Sequence, residues 1–89
     1  MDIKLSREEI DSIDKRMIDL FKQRMACSAN IAQYKKENNM PVFDSARESQ
    51  LINKNVEYLN DYEMEKYYRE FFDGMLKVSK DYQRDLLGL

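Results

Sequence analysis

An all-α fold of three helices per chain is predicted for this 89-residue sequence, with one very long N-terminal helix and two copies intertwined as a homodimer. Charged residues make up 36% of the chain and hydrophobic residues 43%, a balance typical of amphipathic helices. Two glycines and one proline supply too few turns for a multi-stranded β fold. The length allows a single domain, predicted to occupy residues 1–89.

The first helix is predicted over residues 6–38. Ser6 and Glu9 have the spacing of a capping box, so Ser6 is expected at the N-cap. Apolar residues then recur at steps of three and four, with one gap, as at heptad positions a and d: Ile10, Ile13, Met17, Leu20, Cys27, Ile31 and Tyr34. No glycine or proline interrupts the pattern before Pro41, so nothing ends the helix early.

Two further helices are predicted after the connector that contains Pro41, which cannot continue the first helix. The N-cap signal Asp44-Ser45 begins the second helix, which is expected to run to about Glu57. A break at Asn60-Asp61 then separates it from a third helix over about 62–86.

The length of the first helix is the reason for expecting a second copy. A helix over residues 6–38 rises about 50 Å, whereas a compact domain of this size is only about 30 Å across. The apolar side of the overhanging part would face water unless another chain covered it. A homodimer with twofold symmetry is therefore expected.

Composition excludes several function classes. A net charge of −2 argues against general binding to nucleic acid or to membrane surfaces. The absence of histidine removes Ser-His triads and His-bearing zinc sites, and no metal or cofactor is expected. No apolar run approaches the ~18 residues of a membrane span, and Met1-Asp2-Ile3-Lys4 has no signal-peptide character. Because the single Cys27 cannot form an intramolecular disulfide, a cytoplasmic location is expected.

The first helix carries three cations in unusual positions. Arg24 occupies an a position of the apolar stripe, and Lys35, eleven residues later, projects about 20° from it. A buried cation is unfavourable unless it meets a counter-charge or a ligand. The alternative is that both side chains extend to water or pair with carboxylates. Arg7 lies at the positive end of the helix dipole, where it is either solvated or in reach of another subunit.

The other two helices also carry candidate site residues. Asp44, Arg47 and Glu48 share one helical face at spacings of three and four, although an N-cap with a surface ion pair explains the triplet better when it is taken alone. Ser79 and Gln83 form a neutral polar pair at a spacing of four on the third helix.

In this order the motifs resemble the all-helical class of chorismate mutases, over essentially the whole chain. The resemblance is carried by R-E-E-I-D-S-I-D-K from Arg7 to Lys15, by Arg24, and by I-A-Q-Y-K ending at Lys35. The block P-V-F-D-S-A-R-E from residue 41 to residue 48 and the pair Ser79-x-x-x-Gln83 complete it.

The resemblance implies a role for each residue toward chorismate. Arg7 of the partner subunit and Lys35 would hold the side-chain carboxylate, whereas Arg24 and Ser79 would hold the ring carboxylate. Lys35 and Gln83 would donate hydrogen bonds to the ether oxygen. The remaining roles belong to the second helix.

There, the resemblance implies that Glu48 binds the ring hydroxyl, helped by the backbone of Asp44, and that Arg47 supports the site. The chemistry suits such a sequence, since a dianion needs cations and its pericyclic rearrangement needs no nucleophile, metal or proton transfer. Two alternatives remain. The first is an isochorismate pyruvate-lyase, since these enzymes have a similar fold and use a similar cationic pocket. The second is a non-catalytic helical dimer that serves as a binding or regulatory module.

Overall fold

Residues 2–89 are described by a computed structural model, and they form three helices without a strand in that range. In chain order these are α1 (Ile3–Glu37), α2 (Ser45–Leu59) and α3 (Tyr62–Leu87). The predicted all-α class and the very long first helix are confirmed. Within the same residues, none of the helices offers an apolar stretch long enough to traverse a bilayer.

The start of α1 lies three residues before the predicted position, and its N-cap is Asp2. The Asp2 carboxylate accepts hydrogen bonds from the backbone N–H groups of Lys4 at 2.9 Å and Leu5 at 3.4 Å. Ser6 donates its own N–H to the Asp2 carbonyl at 3.3 Å and therefore belongs to the first turn. The predicted capping box at Ser6 is wrong because an upstream carboxylate already satisfies the free N–H groups.

The end of α1 turns the chain sharply toward α2. Asn39 adopts a left-handed conformation with φ 53°, which asparagine tolerates better than most residues. The Met40 N–H then reaches back to the Lys35 carbonyl at 2.8 Å. Asp44 caps α2 as predicted, since its carboxylate accepts the Arg47 N–H at 3.0 Å.

The break between α2 and α3 falls at the predicted residues. Asn60 is left-handed, with φ 47°, and donates its N–H to the Val56 carbonyl at 3.1 Å. This bond carries α2 to Leu59, two residues beyond the prediction. Asp61 then caps α3 by accepting the Met64 N–H at 3.2 Å, and α3 ends within one residue of its predicted end.

The interior of the chain is small and unusually polar. α3 packs against both α1 and α2, and Tyr68 stacks on Phe72 with ring centroids 5.8 Å apart. In the part of the chain that the structure describes, the buried residues are three apolar and three polar ones: Ala32, Val42, Phe72, Ser28, Ser79 and Gln83. The polar three lie between α1 and α3, where the candidate site is found.

The shape of the chain leaves the predicted apolar stripe of α1 uncovered. The principal extents are 54 × 26 × 17 Å, and the 35 residues of α1 span about 52 Å of the longest one. On that helix Ile10 is 54% exposed, Met17 43% and Leu20 61%. The expected homodimer stays a prediction, and this exposed stripe is the surface that it would cover.

Candidate active site

A pocket of about 390 Å³ lies between α1, α3, the residue 40–44 connector and the first turns of α2. This volume falls in the range of small-molecule sites. Seven of the eight predicted site residues line it: Arg24, Lys35, Asp44, Arg47, Glu48, Ser79 and Gln83. Apolar side chains, among them Ile31, Leu51 and Leu76, supply the rest of the wall. The structure thus brings together residues that are up to 59 positions apart in sequence, Arg24 and Gln83.

Two cations of α1 border the pocket, and neither has a carboxylate partner among residues 2–89. Arg24 is half-buried, with its Cζ atom 5.9 Å from the centroid of the Phe72 ring. Lys35 is also half-buried and donates from Nζ to the Val42 carbonyl at 2.6 Å. Among residues 2–89 neither cation takes part in an ion pair. Pairing with carboxylates, one of the alternatives to a ligand-binding role, is therefore absent from this part of the chain.

The first turn of α2 holds its polar side chains by local bonds. Besides capping the helix through its carboxylate, Asp44 accepts the Glu48 N–H on its carbonyl at 3.0 Å. Arg47 donates from Nη1 to Gln50 at 3.3 Å. Asp44 is therefore an N-cap, as the alternative of an N-cap with a surface ion pair expects. Glu48, however, forms its ion pair with a residue of another helix.

That partner is Lys80 of α3, which sequence reasoning missed. Its Nζ lies 3.0 Å from Oε2 and 3.4 Å from Oε1 of Glu48, and 4.7 Å above the Phe43 ring centroid. The pair joins α2 to α3 at the pocket, with only 23% of the Lys80 side chain and 24% of the Glu48 side chain exposed. The available signal was its spacing. Lys80 follows Ser79 directly and lies three residues before Gln83, so it belongs to the same helical turn as the predicted polar pair.

A second missed residue, Ser28, connects α1 to the polar pair of α3. Its Oγ lies 2.6 Å from Ser79 Oγ and accepts a hydrogen bond from Gln83 Nε2 at 3.0 Å. Gln83 Oε1 is buried and has no hydrogen-bond partner among residues 2–89. Ser28 stands four residues after Arg24 and seven before Lys35, a spacing that places it on the same face.

Arg7 is the one predicted residue that does not line this pocket. It is exposed near the beginning of α1. Seventeen residues separate it from Arg24, which corresponds to about 26 Å along the helix axis. Because α1 is continuous, Arg7 cannot reach the pocket of its own chain.

The Asp81 carboxyl on α3 lies outside the pocket and has a lowered pKa. Lys77 donates a hydrogen bond of 2.7 Å to Asp81 and, with help from its charge, lowers the pKa of that carboxyl. Both side chains are solvent-exposed. This pair therefore gives the pocket no pH dependence.

The charge of the pocket defines the kind of ligand that it suits. Its lining has more cations than carboxylates: Arg24, Lys35, Arg47 and Lys80 against Asp44 and Glu48. The hydroxyl groups of Ser28 and Ser79 and the amide of Gln83 add neutral hydrogen-bonding groups to the lining. Fold and pocket together define a small all-helical protein with a pocket whose charge suits a compact anion with more than one negative charge.

Comparison with known proteins gives this class a family. The family model for chorismate mutase type II matches residues 6–84. A bifunctional chorismate mutase/prephenate dehydratase of Buchnera aphidicola subsp. Acyrthosiphon pisum (strain APS) is 32% identical over 82 residues, 91% of this chain and 21% of that protein. Its counterpart in Buchnera aphidicola subsp. Baizongia pistaciae (strain Bp) is 37% identical over 75 residues, 82% and 20% of the two chains. This chain thus spans about a fifth of the length of these curated relatives.

A solved structure shares both the fold and the sequence pattern. It is a conserved hypothetical protein from Pyrococcus furiosus, 39% identical, with a TM-score of 0.75 over 92% of this chain and 95% of that one. The chain belongs to the chorismate mutase type II family. The predicted resemblance is thereby confirmed, and the family's reaction is an isomerisation.

The Lys80–Glu48 pair generates the first prediction, on stability. We expect Lys80→Ala and Glu48→Ala, singly and combined, to show a coupling free energy of about 0.5–1 kcal/mol, because both side chains are three-quarters shielded from solvent. Urea unfolding of the four proteins measures it. The same cycle at the exposed Lys77 and Asp81 is the matched control and should give a smaller coupling. Strictly additive losses at Lys80 and Glu48 would show that the ion pair does not hold α2 to α3.

Proposed function

We propose that this chain is a chorismate mutase, which converts chorismate to prephenate in the biosynthesis of phenylalanine and tyrosine. Family membership supports the activity. The observation that carries the proposal is the convergence of Arg24 and Lys35, without a carboxylate partner among residues 2–89, on a pocket that also contains Glu48 and Gln83. Chorismate offers two carboxylates, a hydroxyl and an ether oxygen, which match these groups.

Binding of the two carboxylates is assigned to the cations of α1. Arg24, with Ser79, takes the ring carboxylate, since a guanidinium presents two N–H groups in the geometry of a carboxylate. Lys35 takes the side-chain carboxylate together with Arg7 of a second copy. The ammonium of Lys35 has three N–H groups, of which the Val42 carbonyl uses one, so two remain for the substrate.

The ring hydroxyl is assigned to the end of the pocket at α2. Glu48 accepts its hydrogen bond, and the ion pair with Lys80 supports this role because it holds the carboxylate in place. Asp44 contributes through its backbone at the start of the helix. Arg47 lies on the same turn and supports the site through its charge.

Catalysis is attributed to restriction of the substrate conformation and to electrostatic stabilisation of the transition state. The rearrangement breaks the ether C–O bond and forms a C–C bond in one step, with no proton transferred. The pocket holds the substrate in the reactive chair-like conformation, and Lys35 and Gln83 donate hydrogen bonds to the ether oxygen as negative charge develops on it. A well-placed donor of this kind contributes about 3 kcal/mol, or about a hundredfold in rate.

We also propose that the enzyme is a homodimer in which each pocket is completed by Arg7 of the partner. The exposed apolar stripe of α1 supports this arrangement, since a second copy would bury it. The distance of about 26 Å along α1 between Arg7 and Arg24 supports a contribution in trans rather than within one chain.

The proposed setting is the cytoplasm, with residues 1–89 acting as a single mutase domain. Cys27 is a free, exposed thiol at the pocket, which is compatible with a reducing compartment.

The proposal predicts loss of activity on removal of either cation. We expect Arg24→Ala and Lys35→Ala each to lower kcat/KM at least about a hundredfold, because each removes a charged contact that strengthens in the transition state. The rate is measured from the loss of absorbance as chorismate is consumed. Lys36→Ala, a change at the neighbouring exposed lysine, is the matched control and should retain activity.

Assays of the purified protein with chorismate and with isochorismate separate the alternatives. Formation of salicylate from isochorismate, without turnover of chorismate, would assign the chain to the pyruvate-lyases. A folded protein that converts neither substrate would favour the non-catalytic binding or regulatory module.

A third prediction concerns Gln83. Its amide donates a hydrogen bond at every pH, whereas a carboxylic acid donates only while protonated. We therefore expect Gln83→Glu to lose activity at neutral pH and to recover it toward acid pH, measured as kcat from about pH 4 to 8. Gln23→Glu, at an exposed position of α1 outside the pocket, should keep the wild-type profile. An unchanged profile for Gln83→Glu would remove Gln83 from the ether oxygen.

A further inference from the structure

We propose that Ser28 is a positioning residue, which fixes the Gln83 amide so that its N–H end faces the substrate. This inference rests on the proposed function. It assigns Ser28 no contact with chorismate, and its effect on the rate passes entirely through Gln83. The family motifs in the sequence do not include Ser28, and its role follows from the geometry of the pocket.

The geometry begins with a buried hydroxyl. Ser28 is 3% exposed and Gln83 6% exposed, and they lie on facing helices, α1 and α3. The Ser28 Oγ accepts a hydrogen bond from Gln83 Nε2 at 3.0 Å. Since Gln83 Oε1 has no partner among residues 2–89, this bond alone sets the orientation of the amide within the described chain.

The orientation matters because the two ends of an amide have opposite character. Rotation by 180° would exchange the N–H donor for a carbonyl acceptor, and an acceptor beside the ether oxygen would repel the charge that develops there. Nε2 carries two N–H groups. One is used by Ser28, which leaves the other for the ether oxygen.

Ser28 is itself held in place by Ser79. Its Oγ lies 2.6 Å from Ser79 Oγ and 3.4 Å from the Ser79 carbonyl, to which it donates. When the Ser28 proton points to Ser79, its lone pairs are left to accept from Gln83. A chain of hydrogen bonds therefore links the Ser79 backbone of α3, the Ser28 hydroxyl of α1 and the Gln83 amide of α3.

The first test is a double-mutant cycle on kcat. We expect Ser28→Ala to lower kcat about tenfold, as fits the loss of one hydrogen bond that orients a donor. In a Gln83→Ala background the same change should alter kcat less than about twofold, because Ser28 no longer has an amide to orient. Ser49→Ala, at an exposed position of α2 outside the pocket, is the control. Circular dichroism and the Tm of each variant report folding.

The second test is a pH profile that a packing role would not move. In Gln83→Glu, we expect the Ser28 hydroxyl to turn from Ser79 to the new carboxylate, and the hydrogen bond that it then donates favours the ionised, non-donating form. Adding Ser28→Ala removes that bond, so the pH of half-maximal kcat should rise by about half a unit or more. The charged groups of the same pocket are unchanged in all variants: Arg24, Lys35, Asp44, Arg47, Glu48 and Lys80.

The outcomes separate this inference from the proposed function. Wild-type protein without mutase activity would overturn the function itself. An active wild type with unimpaired Ser28→Ala, or equal losses from Ser28→Ala with and without Gln83, would overturn the role of Ser28 and leave the function intact. An unmoved pH profile in the Gln83→Glu background would likewise overturn it.

Discussion

Unmatched positive charge on the inner side of α1 is the constraint on which the site depends. Arg24 and Lys35 are half-buried at the pocket, and neither has a carboxylate partner within residues 2–89. The nearby Glu48 is held by Lys80 instead. A partly desolvated cation interacts more strongly with an anion, because less water screens the two charges from each other. In the proposed enzyme, the pocket is thus organised before binding for a ligand that carries negative charge.

The length of α1 connects that pocket to assembly. Its second half, from Arg24 to Lys35, supplies the cations, while its first half carries exposed apolar residues that the chain itself does not cover. The buried interior within one chain is correspondingly small. In the proposed dimer the overhanging half would cover the partner's apolar surface and bring Arg7 to the partner's pocket, so association and completion of the site would be one event.

Local signals predicted the helices well, and distant contacts explain what was missed. Asp44 and the break at residues 60–61 act on N–H and carbonyl groups within four positions, so their effect is visible in sequence. The start of α1 was misplaced because Asp2 and Ser6 are both able to cap, and only geometry decides between them. Ser28 and Lys80 were not predicted, because their partners are distant in sequence. Ser28 lies 51 and 55 positions from its two partners, and Lys80 lies 32 positions from Glu48.

Complementation between two inactive variants tests the shared site most directly. Arg7→Ala and Lys35→Ala, unfolded together and refolded as a mixture, would form heterodimers with one intact pocket, which pairs Lys35 of one chain with Arg7 of the other. The account predicts recovery of about one quarter of wild-type activity, since half the dimers are mixed and each has one complete site. Activity no higher than that of the separate variants, in a sample shown to contain mixed dimers, would contradict a site built from two chains.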